Sequence, residues 1–519
     1  MTTSVETHPA NKWIVALTVM LPTFIEIMDI SVVNVSLPHI QGSLSAGLDE
    51  VTWILTSYLV SNAIIIPISG WLASTFGRKR YLIFSLILFT ASSLLCGSAF
   101  SLAVIIIARI FQGIGGGGLQ PISQAILLES FPDEERGLAM AFFGMGVVLA
   151  PIVGPVLGGW LTDTWNWRWV FYINLPVGIL AVALVFLFVD DPSYIRRRHF
   201  KIDTWGLVFL TVGLGCMQIV LDKGQRKDWF SSDFIVIFSI ISGVALIFFL
   251  MIELRSAHPV VNLRAFKDRS FAIGNLIMFA GFFCLFGSIV LLPLYLQNLM
   301  GYTAFWAGLV LGPGGIAAFF IMPIAGLMMK KRISPRLLLA VGLIVSAGSL
   351  WLMSDFNLEA SFRAIALPRI IQGFGLGLFF VPLAAATFSG IRNEETGNAS
   401  GIFNLLRNLG GSFGVAFSTT VLARRTQMHQ TFLVEHVTPY NPSFQHYSNQ
   451  IQQWLQTHQQ LFAGPSAALD AVYRGVLEQA SMMAFNDTFW LLALGTAALV
   501  PLTIVFRQQS DTARGAGIP

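Results

Sequence analysis

Long apolar runs separated by short polar breaks set the pattern of this chain. A helix needs about 20 apolar residues to cross a hydrocarbon core. Runs of that kind recur at 13–37, 51–74, 81–100, 103–128, 138–161, 168–189, 204–221, 233–253, 271–298, 304–329, 334–354, 363–388, 398–422 and 485–507. The breaks carry Pro/Gly turns and clustered charge. The pattern predicts an all-α polytopic membrane protein with fourteen transmembrane helices. Most linkers are short, so neighbouring helices are expected to pack as antiparallel pairs. The exception is 423–484, a long and much more polar stretch.

Composition sharpens this picture. Of 519 residues, 55% are hydrophobic and 11% carry a formal charge. Soluble domains average about 25% charged residues, which excludes an ordinary soluble enzyme. The three cysteines (Cys96, Cys216, Cys284) all fall in spans and lack metal-ligand spacing, so they read as small buried hydrophobes. No metal or cofactor is expected. Pro22, Glu26 and Asp29 interrupt the first run, and no small-residue cleavage site follows promptly, so it reads as a permanent span and not a signal peptide.

Lys and Arg placement sets the orientation. With the N-terminus inside, twenty basic residues are cytoplasmic, including Lys12, Arg78, Lys79, Arg80, Arg136, Arg196, Arg197, Arg198, Lys201, Lys330, Lys331, Arg332, Arg507 and Arg514. Eight lie outside, and Arg109, Arg369 and Arg407 fall within spans. Both termini are therefore expected in the cytoplasm.

The sequence also repeats itself. ARIFQGIGGGG at 108–118 matches PRIIQGFGLGL at 368–378 with an offset of 260, aligning Arg109 with Arg369 and Gln112 with Gln372. Glu134, Glu135 and Gly137 match Glu394, Glu395 and Gly397 at the same offset. Gly70 and Arg80 match Gly326 and Arg336 at 256. The expected domains are an N-terminal six-helix bundle at 1–200, two inserted helices at 201–260, and a C-terminal six-helix bundle at 261–519. Two parallel six-helix halves around a midplane cavity resemble the major-facilitator fold.

Charges inside spans are costly, about 2.5–3.5 kcal/mol at the bilayer centre on insertion scales, and normally face a cavity. Glu26 and Asp29 are three apart and share a helix face. Two close carboxylates cannot both ionise cheaply in low dielectric, so this pair suits proton loading and release. The alternative is that either acid pairs with an arginine and fixes packing. Arg109 needs a carboxylate or several carbonyls, and Asp29 or Glu26 is the expected partner. Arg407 falls nearer the inner face, where it could snorkel.

Residues 113–118 satisfy G-x-G-x-x-G, but no strand precedes them and no soluble unit surrounds them, so a dinucleotide site is not expected. They read as a surface for close helix packing. Ala150, Pro151, Gly154, Pro155, Gly158 and Gly159 place small residues at four-residue spacing along with two prolines, giving a close-packed, bendable face.

These segments resemble a family. The 150–159 run is similar to the antiporter motif of drug-exporting major-facilitator proteins. Arg109 to Gly113 with Gly115 resembles their fourth-helix motif, in which the arginine is implicated in proton transfer. Gly70, Gly77, Arg78, Lys79 and Arg80 resemble the gating loop between spans two and three, with Ser74 standing where the family pattern has Asp. DISVVNVSLP at 29–38 is similar to the signature of fourteen-span drug:proton antiporters. The likeness covers essentially the whole chain and is nearest to EmrB-type efflux subunits.

That resemblance implies a proton-gradient-driven exporter of hydrophobic toxic compounds in the bacterial inner membrane. It implies partners too: an EmrA-type periplasmic membrane-fusion protein and a TolC-type outer-membrane channel. Within 449–460 and beyond, Ile451, Trp454, Leu455 and Leu461 form a partly apolar helical stripe that could dock a partner or fold back as a lid. Candidate cavity residues are Gln112, Asn34, Trp53, Met145, Phe283, Phe380, Asn404 and Arg407. Other readings are an exporter of one metabolite, such as a fatty acid or siderophore, and a passive channel or facilitator. All eight histidines are expected in loops or termini, which disfavours a membrane-embedded enzyme.

Overall fold

In the computed structural model, residues 11–191, 203–256, 259–438, 440–457 and 465–505 are described, and every regular element among them is helical. The first six helices are α1 (Lys12–Ser43), α2 (Asp49–Phe76), α3 (Arg78–Gly97), α4 (Leu102–Ser130), α5 (Asp133–Thr164) and α6 (Trp169–Phe188). Then come α7 (Thr204–Lys223) and α8 (Asp233–Arg255). The rest are α9 (Arg269–Leu299), α10 (Ala304–Lys330), α11 (Pro335–Met353), α12 (Phe362–Thr387), α13 (Thr396–Val434), α14 (Pro442–Thr457) and α15 (Pro465–Ala497). Thirteen helices among the described residues are long and apolar enough to span a membrane. α13 has no stretch apolar enough to count among them, yet its first half is buried against α9, α15 and α2.

Local chemistry explains many of the helix starts. Asn11, Ser101, Asp203, Asp268, Thr303 and Ser361 each accept a hydrogen bond from a first-turn backbone N–H. Each such cap contributes about 1 kcal/mol.

The polar stretch 423–484 is not the loop its polarity suggests. α13 runs on to Val434, and the last span, expected at 485, begins at Pro465. At 1.5 Å per residue α13 is about 58 Å long, roughly twice the hydrocarbon thickness. Hydropathy marks where a helix leaves lipid, not where it ends. His429 Nε2 lies 2.8 Å from Asp487 Oδ2, and Arg425 lies 3.4 Å from the same oxygen, tying the α13 extension to α15. The histidine expectation is corrected for the same reason: His39, His429 and His446 sit in helices. His8, His199, His258, His458, Arg196, Arg197, Arg198, Lys201, Arg507, Arg514 and both termini lie outside the described residues.

The repeat holds at the level of contacts. Gly113 lies against Tyr58 and Ser61 of α2, and Gly373 against Gly314 and Ala317 of α10. Gly115 lies against Ser85 and Phe89 of α3, and Gly375 against Gly342 and Ser346 of α11. Gly70 of α2 packs on Gly397 and Asn398 of α13, while Gly326 of α10 packs on Gly137 and Leu138 of α5. The crossings between the halves are thus reciprocal.

The core divides unevenly along the helix axes. One apolar cluster joins both halves near the end bearing Lys12, Arg78 and Lys330, through Phe131, Phe143, Phe271, Phe380, Phe388 and Phe403. Toward the opposite end each half has its own cluster: Met28, Ile54, Cys96 and Phe171 in the first, Leu291, Tyr295, Phe356 and Phe489 in the second. The two halves are sealed together at the basic end. α7 packs on α2 and α13 across their seam, and α8 packs mainly on α7, leaving most of its own surface exposed.

Candidate functional site

The buried acids of α1 occupy two separate polar clusters. Asp29 is fully buried. Its Oδ2 lies 2.5 Å from Arg109 Nη1, and its Oδ1 accepts from Gln112 Nε2 at 2.9 Å and Asn174 Nδ2 at 2.7 Å. Arg109 also donates through Nη1 to Gln112 Oε1 at 2.8 Å and through Nε to the Ile54 carbonyl at 3.2 Å. Its guanidinium carbon sits 4.1 Å from the Tyr58 ring centroid. Ser93 Oγ closes the cluster, accepting from Asn174 at 3.0 Å and Gln112 at 3.3 Å. Of the two partners expected for Arg109, the structure gives Asp29.

Glu26, one turn away, has no arginine directly on it among the described residues. Its Oε1 accepts from Asn62 Nδ2 at 2.9 Å and its Oε2 from Gln120 Nε2. Gln120 Oε1 in turn accepts from Arg407 Nη2 of α13. Arg407 does not snorkel: it is 4% exposed, with its guanidinium carbon 5.9 Å from the Phe282 ring. It lies eleven residues into α13, about 16 Å from the helix start, too deep for its head group to reach water.

A second polar step lies on the same seam. Gln124 Oε1 accepts from Asn404 Nδ2 at 2.6 Å and from Ser400 Oγ at 2.8 Å. At the basic end Arg78 pairs with Glu129 and reaches the Asn393 carbonyl at 3.4 Å. Arg136 Nη2 donates to Asn393 Oδ1 at 3.0 Å, and Lys330 meets Glu135 at 3.1 Å. These polar contacts join the first half to the second from mid-depth to the basic end.

The gating-loop residues divide by role. Gly70 must be small, because a Cβ there would lie 2.6 Å from Asn398 Cα. Gly77 has φ +91°, a left-handed conformation that favours glycine. It lets Asp191 approach and accept from the Lys79 backbone N–H at 2.9 Å. Arg80 is exposed. Ser74 is exposed and donates to the Trp71 carbonyl of its own helix. In the antiporter-like run, Gly154 meets Ser31 and Gly158 meets Val32 of α1. Thr162 continues the stripe 2.8 Å from Ser36. Gly159 has nothing within 4 Å of its would-be Cβ, and Pro151 is exposed while Pro155 is partly so.

Several of the expected cavity residues lie outside the two acid clusters. Trp53 stacks under Lys223 of α7, 5.1 Å from the ring. Phe283 packs on Phe417 in the α9–α13 seam. Asn34 is exposed and Met145 half-buried, both apart from the acid clusters. Phe380 is buried against Phe282 near Arg407. Sequence reasoning missed Ser93, Asn174, Asn62, Gln120 and Gln124. Gln120 and Gln124, four apart on one face of α4, were the available signal.

The sequence profile of the Major Facilitator Superfamily matches residues 19–415. The chain is 39% identical to the Multidrug export protein EmrB of Haemophilus influenzae over 490 residues, 94% of each chain. It is 38% identical to the Multidrug export protein EmrB of Escherichia coli K12 over 484 residues, 93% of each. Among solved structures, the human organic anion transporter MFSD10 superposes with a TM-score of 0.59 at 14% identity, covering 93% of this chain and 99% of that one, a likeness of fold. The chain therefore belongs to the Major Facilitator Superfamily, in its EmrB-type branch.

Proposed function

We propose that this protein is a proton-coupled exporter of hydrophobic toxic compounds. The observation that carries the reading is the pair of buried α1 acids, Asp29 held within the first half and Glu26 one side chain from the seam between two halves closed at one end. Multidrug export is the activity for which the EmrB relatives are named, and family membership favours a transporter over an enzyme.

The two acids divide the work. Asp29 is committed to Arg109, and neutralising it would strand a buried guanidinium at a cost of about 3–5 kcal/mol. Glu26 is held by amides alone, so it can gain and lose a proton without breaking an ion pair. In the conformation sealed at the basic end, Glu26 takes a proton from the far side. After the halves reorient, cargo enters from the basic side and the proton leaves there. Each charge moved across the membrane gains about 2.3 kcal/mol per 100 mV.

The Lys and Arg bias supports an inner membrane with the basic end cytoplasmic. The α13–α15 extension would then project into the periplasm, bearing exposed Tyr440 and Tyr447 on and beside α14. The stripe residue Ile451 is partly exposed on α14, while Leu461 and the side chains of Trp454 and Leu455 lie outside the described residues. This projection suits docking of an EmrA-type fusion protein leading to a TolC-type channel.

The test is uptake of a fluorescent hydrophobic cargo into inverted membrane vesicles under an imposed proton gradient. Accumulation by the wild type that collapses with a protonophore, and loss of that accumulation in Glu26→Gln, is expected. Protonophore-insensitive accumulation by the wild type would favour a facilitator instead.

A further inference from the structure

The described polar contacts between the halves are of two kinds. Those at the basic end carry Arg78 and Arg136 to carbonyl and amide oxygens of the second half and Lys330 to Glu135. Those at mid-depth run between α4 and α13 and are buried, and only one of them has an acid behind it. We propose that Gln120 is the positioning residue that ties the charge on Glu26 to closure of the two halves. This deepens the proton-coupled reading above and rests on it.

Geometry gives Gln120 a direction. Its Nε2 donates to the Glu26 carboxylate and its Oε1 accepts from the Arg407 guanidinium. A carboxylate only accepts and a guanidinium only donates, so the amide has one orientation that satisfies both. Glu26, Gln120 and Arg407 are 1%, 5% and 4% exposed. Glu26 and Gln120 belong to the first half and Arg407 to the second. The acid therefore reaches across the seam through one side chain.

A proton on Glu26 removes the anion from this line. Arg407 then keeps its charge with amide oxygens for partners, and its Nη1 already has no hydrogen-bond partner among the described residues. A buried cation without a counter-charge gains by hydration. Parting α13 from α4 supplies that water. The other charged or titratable groups near Glu26 leave the line alone. Asp29 on α1 is held by Arg109 of α4, and Tyr58 of α2 presents a neutral hydroxyl. Four residues along, Gln124 bonds Asn404 and Ser400, a neutral contact with no acid behind it. Protonation thus weakens the Gln120 contact and leaves the Gln124 contact intact.

The test measures the distance between spin labels at Ser74→Cys on α2 and Lys331→Cys after α10. Both sites are exposed at the basic end, and Cys216→Ser removes the partly exposed native cysteine. In the full-length wild type, the fraction of long distances is expected to rise about tenfold between about pH 8 and pH 5.5, the ratio that one lost charge-assisted contact carries. Gln120→Met should flatten that response to under about twofold. Glu26→Gln should hold the long-distance fraction at its acidic level at both pH values. Gln124→Met should shift both values together and leave their ratio unchanged. A Gln120→Met response equal to the wild type's, or a Glu26→Gln protein that still closes at high pH, overturns the proposal. A wild type whose uptake ignores a protonophore overturns the underlying export reading and this one with it. A proton-coupled wild type with an unaffected Gln120→Met overturns this one alone.

Discussion

Arg109 in α4 and Arg369 in α12 occupy matching turns, and each donates to the glutamine three residues on, Gln112 or Gln372. Each glutamine then reaches across to the first helix of its own half. In the first half it meets Asp29, at 2.9 Å. In the second it meets Ser288 of α9, also at 2.9 Å. Asp29 and Ser288 stand 259 residues apart, one short of the repeat. The scaffold of the clamp is duplicated while the acid is not. Arg369 consequently has no carboxylate within ion-pair reach among the described residues, and its Nε is buried without a partner. The difference teaches that the halves share a scaffold but not a charge balance: the first copy is an ion pair, the second a cation held by an amide.

The comparison breaks hardest at Asp29. Replacing it with Asn keeps a hydrogen-bonding side chain of nearly the same shape but leaves Arg109 with no counter-charge nearer than Glu26. Complete loss of gradient-driven uptake is expected, with the protein still present in the membrane. Pairing this assay with an immunoblot separates lost coupling from lost protein. Normal pH-dependent uptake by Asp29→Asn would remove the acid from the mechanism.

Stability distinguishes the two arginines next. Arg109→Met strands the Asp29 carboxylate in a fully buried site, a loss of about 3–5 kcal/mol. Arg369→Met strands no anion and removes an unpaired cation, so a change within about 1 kcal/mol is expected. Melting of the two variants in the same detergent checks the ordering. Conversely, Ser288→Asp supplies the acid that the second half lacks. With Arg369 partly buried nearby, a gain of about 1 kcal/mol is expected, visible as a higher melting temperature than wild type. Lowered stability in Ser288→Asp would mean that Arg369 is already compensated by solvent.

Much of the architecture was legible before any coordinates, for a physical reason. Lipid forces every spanning segment to be an apolar helix, so hydropathy reads membrane crossings directly, and the Arg109/Arg369 match exposes the duplication. What could not be read was the set of partners. Asn174 and Ser93 are single polar residues on different helices, and nothing in their local sequence points at Asp29. Arg407 was misplaced because depth was judged from the nearest charged boundary, whereas α13 starts at Thr396 and carries it inward. The polar stretch after 422 was misread because helical hydrogen bonding continues where hydropathy stops. A duplicated small-residue stripe also escaped notice. Ala150, Gly154 and Gly158 on α5 are matched at an offset of 260 by Gly410, Gly414 and Ser418 on α13, where Gly410 and Gly414 press on the Phe279 and Phe283 carbonyls of α9.

That stripe supplies the finest comparison, between adjacent glycines. A Cβ at Gly158 would lie 3.0 Å from the Val32 carbonyl oxygen and 3.2 Å from Val32 Cα, both backbone atoms of the tightly packed α1. Neither can rotate away, so Gly158→Ala must push α1 and α5 apart by a few tenths of an ångström, at a cost of about 1–3 kcal/mol. A Cβ at Gly159 would meet nothing within 4 Å. Alanine there gains helix propensity without a clash, so Gly159→Ala is expected to be neutral or to stabilise by up to about 1 kcal/mol. The two variants differ by one position and one methyl group. Melting temperatures that fall for Gly158→Ala and hold or rise for Gly159→Ala would confine the close-packing role to the face that meets α1. Equal losses at both positions would instead mean that Gly159 packs against a surface outside this chain.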